Sequence, residues 1–353
     1  MPLNRNDYFL VNLHPVYTPL SDSKMASATP NKLKNLRALL SAKPDQDVLR
    51  LYLRKSEIGL LQHAMLVTVH RKWSEHPPYH LTELGITTYD RLRVNRGQPI
   101  MSGPHDEDLL CHVWCLHLVI RPHAHLDSEA ASIDTYHFGN TVYVSQEEAL
   151  DLLHQIWQQS MDPRDAEKGL RPIIYLSFGN NDSVSKTRKM VFDFDPATLT
   201  TTVATLDAQI IPQQTRITRH SDATFEYLLH QFKITVYHPD NAGNAAIYAT
   251  IIAVLSALRF DVYGSQDNRV AKPGQTGQSS CKSAQSVMQS LMEWPTPAPP
   301  FGEAVYCWRC GSLAHAFRKC YNDDLRCGRC EKSMHQWRRD NAGSHIEGLC
   351  VFH

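Results

Sequence analysis

The stretch "CWRCGSLAHAFRKC" sets Cys307, Cys310, His315 and Cys320 in the spacing C-x2-C-x4-H-x4-C. Three thiols and one imidazole are the donors a tetrahedral zinc ion takes in a closed, structural site. Two cysteines separated by two residues share one tight turn and bind one side of the ion. His315 and Cys320 close the other side. Gly311, directly after the second cysteine, suits that turn. So short a segment has no core of its own, so metal binding would supply its folding free energy.

A second half-site follows at once. "CGRCEKSMH" repeats C-x2-C-x4-H with Cys327, Cys330 and His335. Asp340 stands at the next x4 position, so the fourth ligand lies beyond an insertion, with Cys350 the natural candidate and His345 the alternative. The two half-sites read as a tandem zinc-knuckle module with zinc as cofactor. Between Cys307 and Arg339, eight Lys or Arg face three acids, and Trp308, Phe317, Tyr321 and Trp337 alternate with that charge. Bases stack on aromatic faces while Lys and Arg track phosphates. The expected partner is therefore single-stranded RNA or DNA, gripped by Trp308, Arg309, Phe317, Arg318, Lys319, Arg329 and Trp337. A module that binds a protein partner instead is the competing reading.

These motifs sit at the end of a 353-residue chain with 36 basic and 36 acidic side chains. That length suits a large domain with appendages. A balanced charge argues against coating nucleic acid over the whole surface, so contact should be local. No run of about eighteen apolar residues appears, and no membrane partner is expected. The first residues lack the apolar core of a secretory signal. Six of the nine cysteines crowd into positions 307–350, a pattern of metal binding in a reducing compartment rather than of disulfides. A cytoplasmic or nuclear location is expected.

The elements that must carry any further chemistry lie upstream. Residues 1–44 read as a loosely ordered lead. "DQDVLRLYLRKSEIGLL" has helical spacing, "AMLVTVHRKW" reads as a buried strand, and Pro77 and Pro78 mark a turn to its hairpin partner "YHLTELGITTYDRLRV". "CHVWCLHLVIR" is a third strand. Ser145 and Glu148 form an S-x-x-E capping box ahead of an amphipathic helix. "RPIIYLSFG" and "TTTVATLDAQ" are further strands, and "NAGNAAIYATIIAVLSAL" is an apolar helix capped by Asn241 or Asn244. Residues 264–303, rich in Gly, Ser, Gln and Pro, read as a linker with one short helix near 283–292. The histidines and cysteines of "CHVWCLHLVIRPHAHLD" alternate across a strand and cannot converge from it alone.

The order of these segments resembles the DEDDh 3′–5′ exonucleases of ribonuclease H-like fold, and more narrowly the fungal branch related to the quelling exonuclease and the Gfd2-like proteins. The phrases that carry the resemblance are "HLTELGITTYD", "VIRPHAHLD", "YHFG", "RPIIYLSFGNNDSVSKTRKMVFDFD", "TLDAQ" and "HPDNAGNAAIYATIIAVLSAL", across about residues 60–262. The resemblance implies four carboxylates holding two divalent metals, and a histidine that activates the attacking water. It places D-x-E at His70 and Lys72, the second acid at Ser183, and H-x4-D at Asp240 and Ala245. A lysine where a carboxylate should bind a cation repels that cation. Magnesium is therefore not expected. Asp182 and Asp207 are the candidate substitutes, and Glu83, Asp90 and Glu226 are further acids from which a relocated site could be built.

The expected architecture is an α/β, ribonuclease H-like mixed β-sheet flanked by helices over residues 45–263, a linker over 264–303 and the zinc-knuckle module over 304–353. The expected function is nucleic-acid binding by a degenerate exonuclease-like protein that is not an enzyme. An active metal-dependent exonuclease using relocated acids, and a protein-interaction scaffold, are the alternatives.

Overall fold

The structure is a computed structural model that describes residues 28–54, 59–91, 110, 112–126, 135–162, 164–179, 192–258, 284–293, 295–322 and 325–352. The first helices are α1 (Ala28–Ser41) and α2 (Asp45–Leu53). They are followed by the strands β1 (Met65–Trp73), β2 (Leu81–Asp90), β3 (Trp114–Ile120) and β4 (Thr141–Val144). Helix α3 (Gln146–Trp157) leads to β5 (Ile173–Ser177) and β6 (Thr202–Asp207). Two short helices, α4 (Ile210–Gln214) and α5 (Phe225–Gln231), precede the long α6 (Ala242–Ala257).

The six strands form one sheet in the order β4-β3-β2-β1-β5-β6. β1, β2 and β3 are successive antiparallel neighbours, β5 runs parallel to β1, β6 parallel to β5, and β4 parallel to β3. A strand alternates its side chains, so each strand serves both faces. Met65, Val67 and Val69 pack with α3, where the Ser145–Glu148 capping box forms in full. Leu66, Thr68, His70 and Lys72 therefore face the other layer, built on α6.

Helix α6 is apolar on every side, and all its residues are buried. Such a helix must lie inside a layer rather than upon it. Its start is fixed by the Asn241 side chain, which accepts from the Asn244 backbone N–H at 3.1 Å. Gly85 on β2 lets it approach, because a Cβ there would lie 1.8 Å from the Ala242 carbonyl oxygen. Midway, the Thr250 hydroxyl donates to Ala246 O at 2.9 Å and meets the hydroxyls of Thr68 and Thr87 at 2.8 and 2.7 Å. Helix and central strands are thus joined by satisfied polar groups as well as by apolar packing.

Two sequence boundaries are corrected. Residues 28–41 of the supposed loose lead are helical, with Leu33, Leu36 and Leu40 buried and the Arg37 guanidinium donating to Leu199 O, Thr200 O and Thr202 O. The apolar spacing is helical, and the polar composition around it masks the signal. Much of the supposed linker is likewise part of the domain. Helix α7 (Ala284–Glu293) buries Val287, Met288 and Leu291 in the α6 core. Thr296 N–H donates to Phe138 O, and Glu303 exchanges two 2.8 Å backbone bonds with Tyr143, covering the β4 edge. Residues 264–283 lie outside the described residues. No helix among the described residues is long and apolar enough to cross a membrane.

His70 faces the α6 layer, its ring edge-on to Phe225 at 6.1 Å. Burial lowers its pKa from 6.5 to about 4. The unfolded chain therefore binds a proton at this residue between those values while the folded chain does not. Its contribution is full above pH 6.5 and shrinks as pH falls toward 4, by at most about 3 kcal/mol. Urea unfolding over that range should show a stability slope that flattens in His70→Phe; an unchanged slope would contradict the assignment.

Candidate metal centres and the exonuclease-motif positions

The four side chains Cys307, Cys310, His315 and Cys320 converge, with every ligand atom within 4.8 Å of the others. Cys310 Sγ lies 3.5 Å from His315 Nε2. Zinc–sulfur bonds of about 2.3 Å in a tetrahedron put donor atoms roughly 3.8 Å apart, so the donor set and its spacing fit zinc. The turn is built by backbone: Gly311 N–H donates to Cys307 O at 2.7 Å, Cys307 N–H donates to Ser312 O at 2.8 Å, and Gly311 takes φ +76°. Burial pushes the Cys307 thiol up to about 11. A metal ion must therefore displace that proton to bind.

The second set is Cys327, Cys330, His345 and Cys350, all buried and again within 4.8 Å of one another. Cys330 Sγ is 3.7 Å from both His345 Nε2 and Cys350 Sγ. The assignment of His335 to this site is corrected. His335 is exposed at the N-cap of helix α9 (Gln336–Asp340), its ring stacked near Trp337 at 5.8 Å. That helix and the turn Asn341–Gly343 reverse the chain, and Cys327 N–H donates to Ala342 O across the reversal. The histidine that returns to the thiols is His345. Ser344 Oγ lies 2.9 Å from its Nδ1, leaving Nε2 for the metal. Helix α8 (Gly328–Glu331) holds Cys330.

The two halves form one body that sits on the sheet domain. Ile346 N–H donates to Arg309 O at 2.9 Å between them. Tyr306 and Trp308 pack on Val119, Ala124 and Tyr143. His125 lies ring to ring with His345 at 4.0 Å, and Trp337 stacks on His76 at 4.7 Å and meets Phe352 at 4.9 Å. The 3₁₀ turn Arg121–Leu126, which contains "HAHL", is thus the seat of the second half-site.

This docking changes the nucleic-acid contacts expected from sequence. Trp308 is 3% exposed, with Phe317 stacked on it at 3.7 Å, so it offers no open face. Trp337 is half-buried beneath His76, His335 and Arg338. Its indole, like that of Trp308, serves the protein's own packing. Arg309 is half-buried, whereas Arg318, Lys319 and Arg329 are exposed, and Arg329 pairs with Glu347 at 3.2 Å. Tyr321, at 92% exposed, is the aromatic ring left open.

On the sheet, Lys72, one of the two residues expected at D-x-E, joins a polar network with Glu83 and His117. Lys72 Nζ lies 3.4 Å from Glu83 Oε1, and Glu83 Oε2 meets His117 Nε2 at 3.0 Å. Glu83 Oε2 also accepts from Ala242 N–H, at the start of α6, at 3.1 Å. His117 Nδ1 is 2.9 Å from Thr141 Oγ1. Burial alone would raise the Glu83 pKa, but the His117 bond, the charges of His117 and Lys72, and the helix N–H outweigh it and hold the carboxyl at about 2. Phe178 and Phe225 stack at 3.8 Å, and Phe225 also meets the His70 ring. Asp240 is exposed, and Ala245 is fully buried.

The candidate substitutes fare differently. The Asp207 carboxylate accepts from the backbone N–H groups of Gly179 and Gln209 at 2.9 and 2.8 Å. Asp90 is held by both guanidinium ends of Arg171 at 2.7 and 2.8 Å, and Glu226 is exposed. Asp182 and Ser183 lie outside the described residues. Among the described residues, the groups of three or more side chains placed to hold a metal are the two Cys₃His sets.

Three antiparallel strands followed by two that run parallel to the first, with helices on both faces, make this a ribonuclease H-like α/β domain. Residues 65–256, from the start of β1 almost to the end of α6, match the DEDDh family described as "DNA polymerase III subunit epsilon-like, C-terminal domain". The match spans more than half of the chain, and the chain belongs to that family. Among solved structures it is similar to the RNase domain of the yeast Pop2 protein. The identity is 8%, the similarity covers 67% of this chain and 90% of that one, and the TM-score is 0.27. No curated protein matches.

Proposed function

We propose that this chain is a DEDDh-family protein that has given up metal-dependent hydrolysis and binds single-stranded nucleic acid, RNA in the first instance, through its zinc-holding C-terminal module. The observation that carries the reading is the Lys72–Glu83–His117 network. A two-metal mechanism needs several carboxylates round a pair of divalent cations. At the D-x-E positions this chain has a histidine whose pKa is lowered and an ammonium already paired with Glu83. Asp207 is engaged by backbone N–H groups, which speaks against a relocated site built on it.

The sequence phrases quoted above support a reading of the chain as a member of the fungal Gfd2-like and quelling-exonuclease-like branch. Its cofactor is zinc, with no role for magnesium, and it works in the cytoplasm or nucleus. On this reading residues 28–258 and 284–303 belong to one domain, and 304–353 form the zinc module packed upon it.

The test is a nuclease assay with magnesium or manganese on single-stranded RNA and DNA, run beside a binding assay on zinc-loaded protein. Binding without cleavage is expected, and Cys307→Ser combined with Cys327→Ser should abolish binding. Robust cleavage that is lost in Asp182→Ala or Asp207→Ala would overturn the reading in favour of an active exonuclease.

A further inference from the structure

The charge of the zinc module is local. Between Ala304 and His353 there are eight Lys or Arg and five Asp or Glu. Six thiolates and two zinc ions together remove two more charges, which leaves a net near +1. A module this close to neutral cannot hold a polyanion by its overall field; it needs a place where cations gather. The indoles of Trp308 and Trp337 are engaged in packing, so that place is not the aromatic stripe.

The second half of the module contains a cavity of about 480 Å³, lined by Arg326, Glu331, Arg339, Ala342 and Gly343. Its size falls within the range of ligand sites, but its charged lining is unlike the apolar pockets that take drug-like molecules. Arg339 is exposed on α9. Its guanidinium donates to Ser333 O at 2.6 Å and to the Gln336 side-chain oxygen, both neutral acceptors. Those bonds orient the planar fork without cancelling its charge, and an arginine carries more donors than the two they use. Arg326, in the same lining, is 75% exposed and pairs with Glu331 at 3.1 Å. An exposed pair of this kind is weak and exchanges readily for a better anion. Gly343 leaves open space where a side chain would stand. Tyr321, with its open ring, lies five residues before Arg326 in the chain.

We propose that this cavity is the phosphate-binding point of the module, in which Arg326 and Arg339 clamp a phosphodiester of single-stranded nucleic acid while Tyr321 takes a base. The proposal rests on the nucleic-acid-binding reading above and names the site of that binding. Two guanidinium groups suit the bidentate recognition of phosphate oxygens. Glu331 then acts as the internal competitor that the phosphate displaces from Arg326.

The probe is a fluorescein-labelled oligouridylate of roughly ten nucleotides, titrated into zinc-loaded full-length protein at several salt concentrations. Arg326→Gln and Arg339→Gln should each weaken binding about tenfold and lower the salt slope by about 0.7 for each phosphate no longer neutralised. Tyr321→Ala should weaken binding and leave the salt slope unchanged. Glu331→Gln should tighten binding, a gain that damage to the fold would not produce. Lys168→Gln, on the sheet domain, serves as the control with wild-type affinity. If the wild type binds but Arg318→Gln and Lys319→Gln carry the loss while the cavity variants do not, the cavity is not the site. The cavity is equally excluded if its variants lose a labelled poly-glutamate peptide but keep the oligouridylate. If zinc-loaded wild-type protein does not bind the oligouridylate at all, the nucleic-acid reading itself fails.

Discussion

Replacing His345 with alanine should release one of two zinc ions from the purified protein, whereas replacing His335 should leave both. Both residues are histidines downstream of C-x2-C, and spacing alone favours His335. The structure separates them by burial and orientation. His345 is fully buried, its Nε2 is 3.7 Å from Cys330 Sγ, and Ser344 and His125 hold the ring in place. His335 is exposed and belongs to neither of the two Cys₃His groups found among the described residues. Structural zinc contributes roughly 10–16 kcal/mol to the folding of such small modules, so losing one of four ligands should cost several kcal/mol of it. The loss should spread, because Phe352 and Trp337 sit on the same half-site and meet His80 and His76 of the sheet domain. Metal analysis should give two zinc ions per chain in the wild type and His335→Ala, and one in His345→Ala, with new protease cleavage within residues 325–352. A protein that loses zinc through His335→Ala and keeps it through His345→Ala would reverse the assignment.

What could be read from the sequence follows the distance over which each feature is decided. The first zinc quartet is local: its four ligands lie within one short turn-rich stretch, and counting residues finds them. Helix α6 and the capping box of α3 are local too, one from apolar residues on every side, the other from Ser145 and Glu148. His345 is not, because a helix and a 3₁₀ turn intervene after Cys330 and only the folded path shows which imidazole returns. The same holds for Trp308. Its residue type suits base stacking, and only the docking of the module onto Val119 and Tyr143 shows that its face is already used. Residues 295–303 carry the composition of a linker because their ordering comes from backbone bonds to Phe138 and Tyr143, which leave little trace in residue type. The network on the sheet was half legible. Lys72 can be read from the sequence as a cationic side chain on β1, but nothing in the sequence pairs Glu83 with His117, 34 positions away.

That network gives the other large expected effect. Glu83→Leu should destabilise the domain by about 3–5 kcal/mol, the usual cost of removing one partner of a buried charged cluster. The carboxylate is wholly buried and serves the Lys72 ammonium, the His117 ring and the Ala242 N–H. Without it, the buried Ala242 N–H loses its side-chain acceptor and the part-buried Lys72 ammonium loses this ion pair. Lys72→Met should cost less, since Glu83 keeps His117 and the helix start, where the helix dipole favours negative charge. In the double variant the ammonium that Glu83 paired is gone as well, so the loss should be smaller than the sum of the two single losses. The pH dependence runs in the same direction as that of His70. Glu83, held at about 2, contributes fully above its ordinary value of 4.5 and loses that contribution as pH falls toward 2. Acid therefore weakens the fold through both groups, His70 first and Glu83 at lower pH. Urea unfolding with zinc present measures the cycle, and magnesium titration measures its functional meaning. If, as proposed, the ammonium of Lys72 takes the place of a cation, Tm should not move with magnesium in the wild type. Glu83→Leu within about 1 kcal/mol of the wild type, or a Tm that climbs with magnesium and stops climbing in Glu83→Leu, would show that the carboxylate is there for a metal rather than for Lys72.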